Sequence, residues 1–269
     1  MPAKSTLPKL ETLSTHFVDD EILVVTLDRP NAGNALNTQM GRDLIALFTQ
    51  LEDDPGPARV IIFTGSGEKI FCAGGDLKER DGMTNEQWLH QHRLFERAFW
   101  AVLDCALPVI GAINGHAFGG GLEFALGCDF AYAASEARFA LPEVKLGIMP
   151  GGGGTQNLTR AAGTRRAKEL ILTGREFTAQ KGVEWGIFNE AYPRKDLMPA
   201  VLETARMMAA NAPISVRQAK KSIHHGSQMD LTRALWFEVE TYNRMVFSQD
   251  RLEGVKAFNE KRKPKYKGK

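Results

Sequence analysis

The chain has 269 residues, a formal net charge of +2 and 43% hydrophobic residues, the balance of an ordinary globular protein with ample material for a large core. Its mild basicity is concentrated in the tail from Lys261 to Lys269, so no general nucleic-acid footprint is implied, and no apolar run approaches the ~18 residues of a membrane span. The first residues, Met1 to Leu13, lack both the apolar stretch of a secretory signal and the arginines of a transit peptide. Cys72, Cys105 and Cys128 are an odd number without CxxC spacing, which predicts free thiols in a reducing compartment and a cytoplasmic protein.

In chain order, Thr15 to Leu27 predicts a hairpin turning at Asp19-Asp20, its second arm rich in β-branched residues. Thr38 to Leu51 sets Met40, Leu44, Leu47, Phe48 and Leu51 at helical spacing. Asp53 to Gly56 ends that helix, and Arg59 to Thr64 is a short buried strand. Thr84 can cap a long helix running to Leu103. A strand at Val109 to Ile113, a helix at Gly119 to Leu126, and strands at Phe130 to Ala133 and Arg138 to Leu141 follow. Nearly all-apolar strands alternating with helices argue for parallel pairing in an α/β core, placed at residues 1–195. From residue 196 to 269 the pattern is helical, broken at Asn211-Ala212-Pro213 and Gly226. No repeat of fixed period is visible.

Three segments carry candidate chemistry. Gly119-Gly120-Gly121 stands between a strand and an apolar helix, where free N–H groups and the helix dipole favour an anion or a forming oxyanion. Close strand–helix packing would explain the glycines equally well. Glu123 tips the balance, because a carboxylate among Leu, Phe and Ala on a buried helix is costly unless it has a purpose. Glu143, in Pro142-Glu143-Val144, would by itself be a solvated loop residue, but Gly147 to Gly154 beside it reads as the floor of a site. Phe71 to Leu77 (FCAGGDL) offers small residues after a strand, where a ligand can approach the backbone. The glycine runs lack dinucleotide spacing and the Gly-Lys-Ser/Thr of a phosphate loop. HExxH, paired CxxC and GxSxG motifs are absent, so no metal site or serine hydrolase is supported. His90, His92, His224 and His225 read as surface or core residues, and His116 as a possible border of a pocket.

CAGGDLKER (72–80), INGHAFGGGLEFALGCDF (113–130), LPEVKLGIMPGGGGTQ (141–156) and DRLEGVKAFNEKRKPKYKGK (250–269), in this order, resemble the crotonase (enoyl-CoA hydratase/isomerase) superfamily almost end to end. LKER, MPGGGGTQ and the tail look most like 3-methylglutaconyl-CoA hydratases, including relatives noted for binding AU-rich RNA. The resemblance implies a crotonase-like spiral of repeated β-β-α units, a C-terminal helical trimerisation region, and a homo-trimer or homo-hexamer. It implies catalytic Glu123 and Glu143, and an oxyanion hole from the N–H groups of Ala73 and Gly120. Coenzyme A, part of the substrate and the sole cofactor-like group, would lie along Arg29, Ala32, Gly33, Phe71, Asp76, Leu77 and Lys78, with Phe258 and Lys261 reaching in from the tail. Gly75 stands where many relatives carry Ala, and Asn157 where Arg is common, both away from the expected chemistry. Two glutamates able to share one water suit hydration of a conjugated thioester. An isomerase or hydratase-lyase on the same scaffold, or an RNA-binding protein with a vestigial site, are the rival readings. The helix Leu36 to Asp54, with Arg42 against Asp43, Glu52, Asp53 and Asp54, speaks against a nucleic-acid partner. The acyl pocket is expected around Trp88, Leu89 and His92, with Trp236 or Phe237.

Overall fold

The computed structural model describes residues 7–269, and the reading of the first six residues lies outside it. Strand β1 (Leu13–Val18) pairs antiparallel with β2 (Ile22–Leu27) across a turn in which Asp19 and Asp20 both take left-handed backbone angles, φ 52° and 61°. Such a turn matches the natural twist of a hairpin, and Asp tolerates it better than most residues. Helix α1 (Thr38–Asp53) starts where the Asn37 side chain accepts the Met40 N–H, and buries Met40, Leu44, Leu47, Phe48 and Leu51 as its periodicity predicts.

Three successive β-β-α units follow. The first holds β3 (Val60–Gly65), β4 (Ile70–Cys72), the single turn α2 (Leu77–Arg80) and the long α3 (Asn85–Leu103). Thr84 and Gln87 cap α3 reciprocally, each side chain bonding the other's backbone N–H. The second holds β5 (Val109–Ile113), β6 (His116–Phe118) and α4 (Gly120–Gly127). The third holds β7 (Phe130–Ala134), β8 (Arg138–Ala140), a 3-10 turn at Glu143–Leu146, α5 (Gly154–Ala162) and α6 (Thr164–Thr173). After β9 (Phe177–Thr178), α7 (Ala179–Glu184) and β10 (Glu190–Tyr192) come four helices: α8 (Arg194–Ala209), α9 (Pro213–Gly226), α10 (Leu231–Val246) and α11 (Gln249–Asn259).

Each unit sends its first strand to one sheet and its second to another. The larger sheet runs β1-β2-β3-β5-β7-β10, parallel throughout except for the hairpin, and the smaller runs β4-β6-β8-β9. This is the spiral that the resemblance implies. Between the sheets the Phe63 ring meets Phe71 and Phe124 edge-on, with centroids 5.9 and 5.7 Å away, so β3, β4 and α4 share one aromatic contact.

The helical part expected from residue 196 does not separate there. Helix α8 buries Leu197, Val201, Ala205 and Ala209 in the same core as the sheet strands. The change of character comes at α9, which buries no residue, and α10, which buries only Thr241. Ile223, Leu231, Leu235, Trp236 and Phe247 are left exposed on this segment. No helix among the described residues is long and apolar enough to cross a membrane. The three thiols are buried, and burial pushes Cys72 up to about 12 and Cys105 up to about 11.

Asn34 fixes the loops that lead to the small sheet. It is fully buried at φ 53°, its Oδ1 accepts from the Arg29 N–H and the Ser66 hydroxyl, and its Nδ2 donates to the Ser66 and Ile70 carbonyls. Asn34→Ala strands these groups and forces an alanine into left-handed space. Urea denaturation should show a loss of about 3 kcal/mol; a loss below about 1 kcal/mol would mean that the loops close without it.

Candidate active site

A cavity of about 330 Å³ opens where the three units meet, walled by Ala73, Gly74 and Gly75 from the first, Gly119, Gly120 and Glu123 from the second, and Pro142, Glu143 and Gly151-Gly152 from the third. Glycine brings these loops together. Gly74 (φ 97°) would place a Cβ 2.8 Å from the Phe118 carbonyl oxygen, so a side chain there would force the first two loops apart. Gly119, at φ 51° and ψ −125°, turns the chain into α4, and its missing Cβ leaves 3.1 Å to Glu143 Oε1.

Both glutamates face this cavity and both are buried, Glu123 with 4% and Glu143 with 8% of its surface exposed. Their surroundings differ. Glu123 sits in the first turn of α4, and its Oε1 accepts the N–H groups of Gly152 and Gly154, each at 2.8 Å. Burial raises its pKa, and the two amides pull against that rise by stabilising the carboxylate. Gly154 is glycine for a local reason, since a Cβ there would stand 2.8 Å from that same oxygen. Glu143 opens the 3-10 turn, and no protein group donates to its buried Oε2. Burial, joined by the nearby charge of Glu123, pushes its carboxyl up to about 7. Both carboxyls are thus pushed up by burial, but only Glu123 has backbone amides that oppose the rise through its Oε1.

The expected oxyanion donors need one correction. The Ala73 N–H is already spent on the Gly33 carbonyl at 2.9 Å, so it cannot serve a ligand. Gly75 can. The bridge between Leu36 and Gly75 uses the Gly74 carbonyl and the Asp76 N–H, and the Gly75 N–H between them finds no acceptor among the described residues. Gly120, the first residue of α4, likewise has an N–H without an intrahelical partner. Gly75 N lies 3.9 Å from the point where a Gly120 Cβ would stand, so two free donors flank one spot on the cavity wall. Gly75 thus stands beside Gly120 on the cavity wall and not away from it.

The residues expected to hold coenzyme A divide. Ala32 is exposed and Gly33 half-buried on the rim loop, Leu77 and Lys78 are exposed, and Leu77 lines the cavity. The Phe71 ring is wholly buried against Phe63 and cannot touch a ligand. Arg29 and Asp76 pair with each other at 3.0 Å; Arg29 also donates to the Ala35 carbonyl, and Asp76 caps α2 by accepting the Lys78 and Glu79 N–H groups. Their side chains build the rim. Phe258 and Lys261 lie exposed at the end of α11, outside the cavity wall. Trp88 and His92 do line it, whereas Leu89, Trp236 and Phe237 do not. His116 is not in the wall either; its Nδ1 accepts the Arg138 N–H. No group of three or more His, Cys, Asp or Glu among the described residues could hold a metal ion.

A family model described as enoyl-CoA hydratase/isomerase matches residues 18–269. The chain belongs to the enoyl-CoA hydratase/isomerase family. Among similar proteins is the short-chain-enoyl-CoA hydratase of Clostridium acetobutylicum, 38% identical over 91% of this chain and 94% of that protein. YngF of Bacillus subtilis, which bears the enoyl-CoA hydratase/isomerase name, is 45% identical over 93% of this chain and 96% of its own length. A crystal structure of enoyl-CoA hydratase from Bacillus anthracis superposes with a TM-score of 0.94 at 42% identity, covering 96% of this chain and all of that one. The chain is an enzyme of the crotonase superfamily.

Several wall residues of this crotonase site are not singled out by the sequence: Arg80, Phe95, Phe99 and Leu146 as lining, and the Gly152 and Gly154 N–H groups as the seat of Glu123. The run of four glycines is the one signal for the latter. Titration of Glu143 should be visible in stability. Its folded pKa of about 7 exceeds the ordinary 4.5, so the native state keeps a proton that the unfolded chain has released, and stability falls as pH rises from 4.5 through 7. Glu143→Gln removes that loss. Melting curves should show the variant above the wild type at pH 8, with the gap closing by pH 4.5; an equal gap at both values would place the effect elsewhere.

Proposed function

We propose that this enzyme hydrates short or branched enoyl-CoA thioesters, with 3-methylglutaconyl-CoA the favoured substrate. The observation that carries the proposal is the unequal pair of carboxylates, one seated on two amides and one unpaired and proton-holding, beside two free N–H donors. The thioester oxygen would accept from Gly75 and Gly120, whose donation strengthens as charge moves onto it; loss of one such donor typically costs about 3 kcal/mol. Glu123 would take a proton from water as the hydroxyl oxygen bonds to the β-carbon and the double-bond electrons shift toward the carbonyl. Glu143, which holds that water in the ground state, would pass its own proton to the α-carbon from the same side. The result is syn addition, and proton exchange restores both carboxyls. The choice of 3-methylglutaconyl-CoA rests on the likeness of LKER, MPGGGGTQ and the tail.

The exposed apolar residues of α9 and α10 support assembly of this chain into a homo-trimer, or a hexamer of two trimers, and the reading of its location remains cytoplasmic. Residues 1–195 would carry the catalysis, with the helices beyond α8 supplying the oligomer. Phe258 and Lys261 stand clear of their own cavity wall, so a contact with coenzyme A would be made across a subunit boundary.

Loss of the conjugated-thioester absorbance tests the chemistry. Glu123→Gln and Glu143→Gln should each lower kcat by at least about 100-fold. The double variant should be scarcely worse than either, because the pair acts on one water. If Glu123→Gln hydrates almost normally while Glu143→Gln is dead, a single base is at work and the isomerase or lyase reading takes over. Lys261→Ala should raise KM with little change in kcat, since a coenzyme-A phosphate does not alter during the reaction; an equal fall in kcat and kcat/KM would contradict that contact.

A further inference from the structure

The two amides that seat Glu123 are not held alike. Gly154 is the first residue of α5, so the helix fixes its N–H. Gly152 lies outside any helix or strand, in a run of glycines with no side chains of its own to restrict it. Apart from the bond from the Gly152 N–H to Glu123, no hydrogen bond holds Gly151 or Gly152 among the described residues. A peptide that free keeps its N–H aimed at one oxygen only if something outside the loop confines it.

Two rings on one face of α3 do so. The peptide unit between Gly151 and Gly152 carries the N–H, and each of its two Cα atoms meets one of them. At the buried end, a Cβ added to Gly152 would stand 2.4 Å from Phe99. At the exposed end, a Cβ added to Gly151 would stand 2.5 Å from His92 Cε1 and 3.1 Å from its Nε2, and its three nearest atoms all belong to that imidazole. His92 and Phe99 lie about two turns apart on α3, so a single rigid element sets both contacts. Glu96, one turn on, stands 3.2 Å from His92 Nε2 and keeps the ring from swinging off the loop. His92 Nδ1 has no partner among the described residues, and the ring lines the cavity, so a direct contact with substrate is the competing role.

Resting on the hydratase reading, in which Glu123 takes a proton from water, we propose that His92 is a positioning residue whose ring clamps Gly151 and thereby holds the Gly152 N–H on the Glu123 carboxylate. Without the clamp the peptide can turn, and burial of Glu123 is then opposed by one amide instead of two, so its carboxyl rises further. The base works deprotonated, so the acid limb of kcat moves to higher pH. The charged groups that share this part of the structure, Arg80 and Glu143 in the wall and Glu96 on α3, are unaltered in the variants below.

His92→Ala should lower kcat on crotonyl-CoA at least about tenfold at neutral pH, the scale of loss that a small misplacement in an active site produces. KM should change less than about threefold, because the contacts of the thioester itself are untouched. The acid limb of kcat should lie at higher pH than in the wild type. His92→Phe keeps a ring against Gly151 without either nitrogen, and should restore most of kcat and the position of the limb. If His92→Phe is as slow as His92→Ala, the nitrogens matter rather than the bulk of the ring, and the clamp is overturned. A His92→Ala enzyme within about threefold of the wild-type kcat overturns it too.

Failure of the hydratase reading is separately visible, because the wild type then leaves the thioester absorbance intact. Hydrogen exchange of residues 149–154, followed by mass spectrometry, still decides the role of His92. Exchange should quicken in His92→Ala and keep the wild-type rate in His92→Phe, and equal rates in all three would sink the assignment. Should His92→Ala not fold, Gly151→Ala takes its place: Gly151 is outside the left-handed region, and the new methyl would push the imidazole off the loop. That variant should show the same slower turnover and faster exchange, and wild-type behaviour in it would equally overturn the proposal.

Discussion

Two buried carboxylates share one cavity, and most of what is unusual in this chain is explained by how that is tolerated. Like charges in a low-dielectric pocket repel, so the arrangement persists only if the two sites are made unequal. Glu123 receives a pair of amide donors from the glycine run, and the buried Oε2 of Glu143 receives none. The inequality is built from backbone, with Gly152 and Gly154 as donors and Gly119 and Gly154 as the spaces into which the carboxylates fit. Any side chain at Gly154 would attack the seat of the charge and its clearance together.

The fold supplies these backbone groups by repetition. Each unit delivers a loop after its small-sheet strand to the same corner: Ala73 to Gly75 after β4, Gly119 and Gly120 after β6, and Glu143 after β8. Phe99 pins the corner, since Cβ atoms added at Gly120 and Gly152 would lie 3.2 and 2.4 Å from its ring, and the ring packs on Phe124 at 4.2 Å. A single phenyl group thus sets the spacing between the free Gly120 N–H and the amides that seat Glu123.

Much of this was legible in the sequence. Continuous apolar runs announced β3 and β5, periodicity announced α1, the capping Thr84 announced α3, and Glu123 stood out as the charge that an apolar helix should not contain. What stayed hidden was short or relational. Strands β4 and β6 are three residues each, too brief for any pattern, and without them the alternation between two sheets cannot be seen. The β-β-α repeat has no fixed period, because one unit carries a 19-residue helix and another an 8-residue one. The choice between Ala73 and Gly75 as oxyanion donor turns on the Gly33 carbonyl, remote in sequence, that satisfies one N–H and leaves the other. The pairing of Arg29 with Asp76 is equally a matter of tertiary partners.

The assembly of the cavity from three successive units has a consequence for how the chain folds. Until the third unit docks, Glu123 lacks the amides of Gly152 and Gly154, and Glu143 is not yet enclosed. Both carboxyls would titrate as ordinary solvated acids in any partly assembled chain. Non-local contacts of this kind form late and slowly. The closing step must strip water from two acids at once, so at neutral pH it is opposed by the same electrostatics that make the finished site reactive. The third loop is therefore where the native protein should open first when pH rises, and its amide protons should exchange faster there than those of the sheet beneath.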